Sequence, residues 1–249
     1  MVAGQTVRLL VITEDSAQEA FTALSWLVKK AARLLEPQTQ TQHLQLSPLT
    51  GNQGARLAAM AMGWKSQQPA DDNKRRDLVR TITTALLGET WVIFHYDADV
   101  DWKRYHQSLN RERFARQMRA DIERALRAQK LSETQVQARL SRLVEWVPAY
   151  CIEAWYYRAW DCLRAFCVDA AHLERLAVWQ AAPENLENEE QPWKHTAAGR
   201  RENLALAKEF PATEVYGLRL SFFEGIEKLR GADGLLAALA ATVPSFGSE

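Results

Sequence analysis

The sequence predicts an α/β fold: a parallel sheet of about four strands flanked by helices, with a helical insertion at about 102–142 and a helical C-terminal part. Three observations carry this. Short apolar, β-branched runs alternate with amphipathic helical patterns through the first hundred residues, the pattern of a parallel sheet with crossover helices. The chain has no internal repeat and no composition break that would divide it, so residues 1–249 read as one domain. Its 47% apolar and 25% charged residues are those of a folded protein, which excludes global disorder.

The elements follow in order. VRLLVIT (7–13) is a short apolar run of the kind buried on both faces of a sheet. Residues 16–35 read as a helix, with Phe21, Leu24, Leu27, Val28, Ala31 and Leu35 on one face. Ser16 and Glu19 make a capping-box pattern at its start, and Pro37 stops it. HLQL (43–46) alternates and predicts a second strand. Residues 47–73 are polar and rich in Gly and Pro, with one helical turn expected around ARLAAMAM. KRRDLVRTITTALLG (74–88) is an amphipathic helix that Gly88 is placed to end. A third strand is expected over 91–96.

From Lys103 to Arg142 the chain reads as two basic helices packed as a hairpin, the second capped by Ser132 or Thr134. Eleven Lys/Arg against four Asp/Glu across 102–142 give a local charge of +7. LVEWVPAY (143–150) predicts a fourth strand, and residues 151–179 a long aromatic helix or pair of helices. Residues 181–192 read as an acidic surface loop. Two helices finish the chain, one from Ser221, where SFFE repeats the capping-box pattern, and one from about Gly234.

Thirty-one basic and 31 acidic residues leave no net charge, so affinity for nucleic acid requires a local patch. The three cysteines, Cys151, Cys162 and Cys167, are an odd count in one helical stretch, which suits reduced thiols better than a disulfide framework. No apolar run approaches the roughly 18 residues that span a bilayer, and no signal-peptide pattern opens the chain. A cytoplasmic protein without membrane contact is the expectation.

The chemistry concentrates in WVIFHYDADVDW (91–102), where Asp97, Asp99 and Asp101 stand at alternate positions after an apolar strand. Like charges this close repel, so a positive group should offset them. In an extended segment alternate side chains share a face, and three converging carboxylates suit Mg²⁺ or Mn²⁺. An EF-hand is excluded, because Trp102 and Ser108 occupy the positions of its Gly and Glu. Three catalytic readings remain: a haloacid-dehalogenase-type phosphatase with Asp97 as nucleophile, a DxD sugar-nucleotide transferase, and a metal-dependent nuclease or topoisomerase-type site. The last needs a glutamate on an earlier strand, and Glu14 supplies it. The bland reading is that the acids cap the next helix, which accounts for Asp101 but poorly for all three.

Together, VRLLVITEDSAQEAF and WVIFHYDADVD resemble the Toprim fold, in which a glutamate follows the first strand and an Asp-x-Asp a later one. The likeness is to small Toprim-like proteins and the OLD-type nucleases of bacterial phage defence and genome maintenance. CIEAWYY (151–157) is similar to their Ile-Glu-x-Trp helix start, and LSFFEGIEKL (220–229) to a Ser-Phe helix near their C-termini. Two positions depart from the pattern: Asp15 stands where Gly is usual, and Gln18 where a second acid is common.

The resemblance implies a Mg²⁺- or Mn²⁺-dependent nuclease acting on DNA or RNA. Its metal ligands would be Glu14, Asp97, Asp99 and Asp101, with Glu153 in an outer shell and Lys194 as a late catalytic lysine. It also implies a separate ATPase partner, since this chain has no Walker-type phosphate loop. A catalytically silent Toprim-like scaffold that binds such a partner through the basic hairpin is the rival, and Gln18 favours it. Arg75–Arg76, Lys194–His195 and Arg200–Arg201 are further candidates for phosphate contact, against a reading as exposed loop charge. Trp155, Tyr156, Trp160 and Phe166 have core spacing, and His95 is expected as an interior histidine hydrogen-bonded to its surroundings.

Overall fold

The computed structural model describes residues 5–15, 17–49, 64–65 and 68–243. Four strands form one sheet: β1 (Val7–Ile12), β2 (Leu44–Ser47), β3 (Trp91–His95) and β4 (Leu143–Trp146). All neighbours pair in parallel, in the order β2-β1-β3-β4, so β1 and β3 lie side by side at the centre. The strand alternation divides two apolar layers between the faces. Val7, Leu9, Val11, Ile93, Val144 and Trp146 join one; Ile12, Val92, Phe94, Leu143 and Val147 join the other.

The helices that cover the sheet are α1 (Gln18–Leu35), α2 (Asp72–Leu87), α3 (Leu109–Arg113), α4 (Ala120–Arg127) and α5 (Glu133–Ser141). The C-terminal part adds α6 (Glu153–Tyr156), α7 (Trp160–Arg164), α8 (Ala170–Ala181) and α9 (Glu184–Glu187). It ends with α10 (Arg200–Glu209), α11 (Ala212–Gly217), α12 (Ser221–Arg230) and α13 (Leu235–Ala240). α1 and the C-terminal helices share one apolar layer, and α2 shares the other with the 102–142 segment. No helix among the described residues is long and apolar enough to cross a membrane.

The basic hairpin is the crossover between β3 and β4. A π-helical turn (Phe114–Arg119) joins α3 to α4, and Ser132 with Gln135 forms the capping box that starts α5. Its apolar side, Phe114, Met118, Ile122, Leu126, Val136 and Leu140, is buried over the sheet. Much of its charge is spent internally, in pairs such as Arg116–Glu112, Arg124–Asp121 and Arg127 with Glu123 and Glu133.

Several expectations are corrected. The 151–179 stretch is three helices, α6, α7 and the start of α8, because residues 157–159 and 165–169 leave helical geometry. The acidic 181–192 segment is not all surface loop: it holds α9, and Glu187 is fully buried against Arg158 at 3.3 Å. Ser221 caps nothing, since Leu220 is the N-cap and no side chain bonds there. Its hydroxyl instead accepts from Trp155 Nε1 at 2.7 Å and donates to Glu187 Oε2 at 2.6 Å. Ser16 of the other capping-box pattern, and the turn expected around 55–62, lie outside the described residues.

Candidate functional site

The central strands end beside one another, with Ile12 in register with Phe94. Glu14, two residues past Ile12, thus lies beside the turn that carries Asp97, three residues past Phe94. The Asp97 backbone N–H donates to Glu14 Oε2 at 2.9 Å, so the first acid is fixed against the second across 83 residues of sequence. The carboxyl ends of parallel strands are where such folds gather functional groups, since loops there meet helix starts.

Beyond β3 the chain does not stay extended. Asp99 has φ 57°, a left-handed conformation that an Asp tolerates better than most residues. Alternate side chains therefore stop sharing a face, and the expected convergence of Asp97, Asp99 and Asp101 does not occur. Asp101 caps the 3₁₀ turn Trp102–Gln107, accepting from Arg104 N at 3.0 Å and pairing with Arg104 Nε at 2.7 Å. Those bonds hold its carboxyl below the usual carboxylate range. Asn110 braces the turn, its Nδ2 donating to the Asp97 carbonyl at 2.9 Å and to Asp99 Oδ2.

The positive group that the acids require is present as Lys65, a residue in the polar 47–73 stretch that nothing in its sequence context marks out. Its ammonium lies 2.7 Å from Glu14 Oε1 and 3.2 Å from Asp99 Oδ2. Trp64 anchors it: the buried indole packs edge-on against Tyr96 (4.9 Å), Phe114 (5.7 Å) and Phe94 (6.0 Å).

A cavity of about 660 Å³ opens between the ends of β1 and β3, the start of α1, α6 and the start of α10. Glu14, Asp97 and Glu153 line it, with Asp15 and Glu19 at the α1 side. Asp97 Oδ1 is buried there and has no hydrogen-bond partner among the described residues. Burial first, then the charges of Glu14, Glu153 and Asp99, raise the Asp97 carboxyl well above the ordinary carboxylate range. Burial also raises Glu153, whose Oε1 accepts a long bond from Asn203 Nδ2 at 3.4 Å.

His95 departs from expectation. Its ring is buried and faces the cavity, yet neither nitrogen has a hydrogen-bond partner among the described residues. Nε2 stands 3.7 Å from Asp97 Oδ1, beyond hydrogen-bond reach. Burial, helped by the charge of Lys65, lowers its pKa to about 3, so the imidazole is neutral.

The structure thus brings together Glu14, Asp97 and Glu153 on one cavity and joins Asp99 to them through Lys65. It separates off Asp101 and Lys194. Lys194 is exposed on the 3₁₀ turn Pro192–His195 and does not line the cavity, although Trp193 beside it does. Of the basic groups proposed for phosphate contact, Arg75 pairs with Asp72, His195 lies 3.4 Å from Glu189, and Arg200 lines the cavity. Among the described residues, no three His, Cys, Asp or Glu side chains are grouped so that they could hold a metal ion together, so the expected four-ligand set is not assembled. Magnesium sites seldom need such a set, because the ion keeps several waters and takes one or two carboxylates plus substrate phosphate.

Neither a scan against protein-family models nor searches of curated proteins and of solved structures finds a match to this chain.

Proposed function

We propose that this chain is a Mg²⁺- or Mn²⁺-dependent Toprim-type nuclease that cleaves DNA or RNA phosphodiesters. The observation that carries the reading is Asp97 Oδ1, a buried carboxylate oxygen without a partner among the described residues, on a cavity it shares with Glu14 and Glu153. Burying such a group without a partner costs several kcal/mol, and a divalent cation is the economical way to offset it. Asp97 would hold the ion, with Glu153 within the same acidic cavity. When bound, such an ion polarises a phosphoryl oxygen, lowers the pKa of water and offsets charge on the leaving oxygen.

The chain's own residues supply orientation. Glu14 holds the Asp97 backbone through its N–H, and Asn110 holds the following turn through the Asp97 carbonyl. Neutral His95 beside Asp97 Oδ1 adds no positive charge that would repel a cation. Arg200 at the cavity edge is placed to meet a phosphate.

A place in a bacterial defence or genome-maintenance system, with a separate ATPase as partner, belongs to the same proposal and rests on the resemblance alone. The rival, a silent scaffold for such a partner, draws support from Lys65, which already neutralises part of the acidic cluster. The two separate in one assay: plasmid DNA and bulk RNA incubated with Mg²⁺, Mn²⁺ or EDTA, wild type beside Asp97→Ala. Cleavage lost in both the variant and the chelated sample is the expected result. No cleavage by wild type, alone and with neighbouring gene products added, overturns the nuclease in favour of the scaffold.

A further inference from the structure

We propose that Lys65 is a built-in cation of this site, permanently occupying its Glu14–Asp99 side, so that the protein binds one divalent ion, on the Asp97–Glu153 side, and not two. The inference rests on the reading of the cavity as a metal site and adds the residue that fixes its ion count.

Charge gives the first argument. Glu14, Asp97 and Glu153 line one cavity, and Lys65 pairs with Glu14 and with Asp99 beside it. Five carboxylates line that cavity, Glu14, Asp15, Glu19, Asp97 and Glu153, and Arg200 and the Lys65 ammonium offset only part of their charge if all ionise. The deficit is uneven. Glu14 and Asp99 each have an oxygen on the Lys65 ammonium, at 2.7 and 3.2 Å, whereas Asp97 Oδ1 has no partner among the described residues. One half of the cluster is satisfied, whereas in the other half Asp97 is not.

Anchoring gives the second. A surface lysine on a flexible stem would yield to a divalent ion, since its pairing is worth little. Lys65 follows a fully buried tryptophan, and its side chain is only 20% exposed. Its Nζ also lies 5.7 Å from the Trp64 ring centroid, within the range of a cation–π contact.

The open half carries a mark of its own. The His95 side chain is 7% exposed and faces the same cavity, with both nitrogens unpartnered among the described residues. Buried polar groups are almost always hydrogen-bonded, so an unbonded imidazole beside an unbonded carboxylate oxygen indicates a bound polar or cationic species between them.

The test counts ions. Mn²⁺ is titrated into the full-length protein and the unbound ion is followed by its paramagnetic resonance signal, for wild type, Asp97→Asn, Lys65→Met and Lys65→Arg. The proposal expects one ion per chain for wild type and Lys65→Arg, none for Asp97→Asn, and two for Lys65→Met. It also expects Lys65→Met to melt below wild type in EDTA and to recover in saturating Mn²⁺, because the added ion replaces the ammonium. A purely structural lysine would give no such recovery. Two ions on wild type, or one on Lys65→Met, overturns the proposal and leaves the nuclease standing. No ion on wild type also overturns it, whereas the nuclease falls only if metal-dependent cleavage is absent as well.

Discussion

Replacing Arg158 by Met breaks a buried ion pair that holds the C-terminal wall of the cavity. Arg158 and Glu187 are 1% and 0% exposed and lie 3.3 Å apart. Arg158 Nε also donates to the Ala154 carbonyl at 2.9 Å, and Nη2 to the Pro183 carbonyl at 2.9 Å, tying α6 to α9. Glu187 in turn takes the Ser221 hydroxyl, which takes the Trp155 indole, so the helix bearing Glu153 hangs on the same network. Removing one partner of such a pair typically costs about 3–5 kcal/mol, because the other is left charged without solvent. Burial already raises the Glu187 carboxyl, so in the variant it escapes part of that cost by taking up a proton.

The expected loss for Arg158→Met is therefore about 3 kcal/mol at pH 7.5, or roughly 6–12 °C in melting temperature for a chain of this size. The sign with pH follows from linkage. A carboxyl raised in the folded state binds its proton more tightly there than in the unfolded chain, so the variant loses stability as pH rises through that window. Its deficit against wild type should be smaller at pH 5 than at pH 7.5. The double variant Arg158→Met/Glu187→Leu should recover at least half of the loss, since no buried charge remains. Urea melts of wild type, Arg158→Met, Glu187→Leu and the double variant form the cycle. A loss below about 1 kcal/mol, or a double variant no better than Arg158→Met, would refute the reasoning that an uncompensated charge is what the pair prevents.

Three further outcomes are expected. Gly225→Ala should destabilise despite a gain of about 1 kcal/mol in helix propensity. Its Cβ would fall 1.9 Å from Trp146 Cδ1, on a ring already packed by Trp155 and Phe222, so a net loss of about 2 kcal/mol by urea melting is expected. Asp97→Asn should stabilise the metal-free protein by about 1–2 kcal/mol at pH 8 while abolishing Mn²⁺ binding. Because the folded-state pKa of Asp97 is raised, its ionisation costs stability as pH rises, and the gain should vanish towards pH 4 in EDTA. His95 has the opposite dependence. With its pKa lowered to about 3 from 6.5, the unfolded chain binds the proton first, and stability falls with falling pH across that window. Between pH 7 and 5 this removes at most about 2 kcal/mol, and His95→Leu should show a flatter profile over the same range.

How much of this was legible beforehand differs element by element. Continuous apolar, β-branched runs in VRLLVIT and WVIFHY determine buried strands, and the helical spacing of Leu24, Leu27, Val28 and Ala31 determines the helix between the first two strands. These are local patterns, which is why the parallel sheet and a basic helical hairpin over 102–142 follow from the sequence, whereas the hairpin's place as the crossover from β3 to β4, and Ser132 over Thr134 as its cap, came from the fold. The placement of Glu14 and Asp97 together also follows, because both stand just past the ends of strands that a parallel α/β order sets side by side.

Tertiary structure alone decided the rest, because those contacts join positions far apart along the chain. Lys65 reaches Asp99 across 34 residues, and Arg158 finds Glu187 across 29; neither spacing carries a periodic signal. Ser221 has the sequence of a helix cap, yet the buried Trp155 indole and Glu187 carboxylate claim its hydroxyl. A left-handed Asp99 turned three alternate aspartates into one cavity acid, one lysine partner and one helix cap. Local pattern determined the scaffold. Which charges meet was decided by packing, since an ion pair records only distance in space.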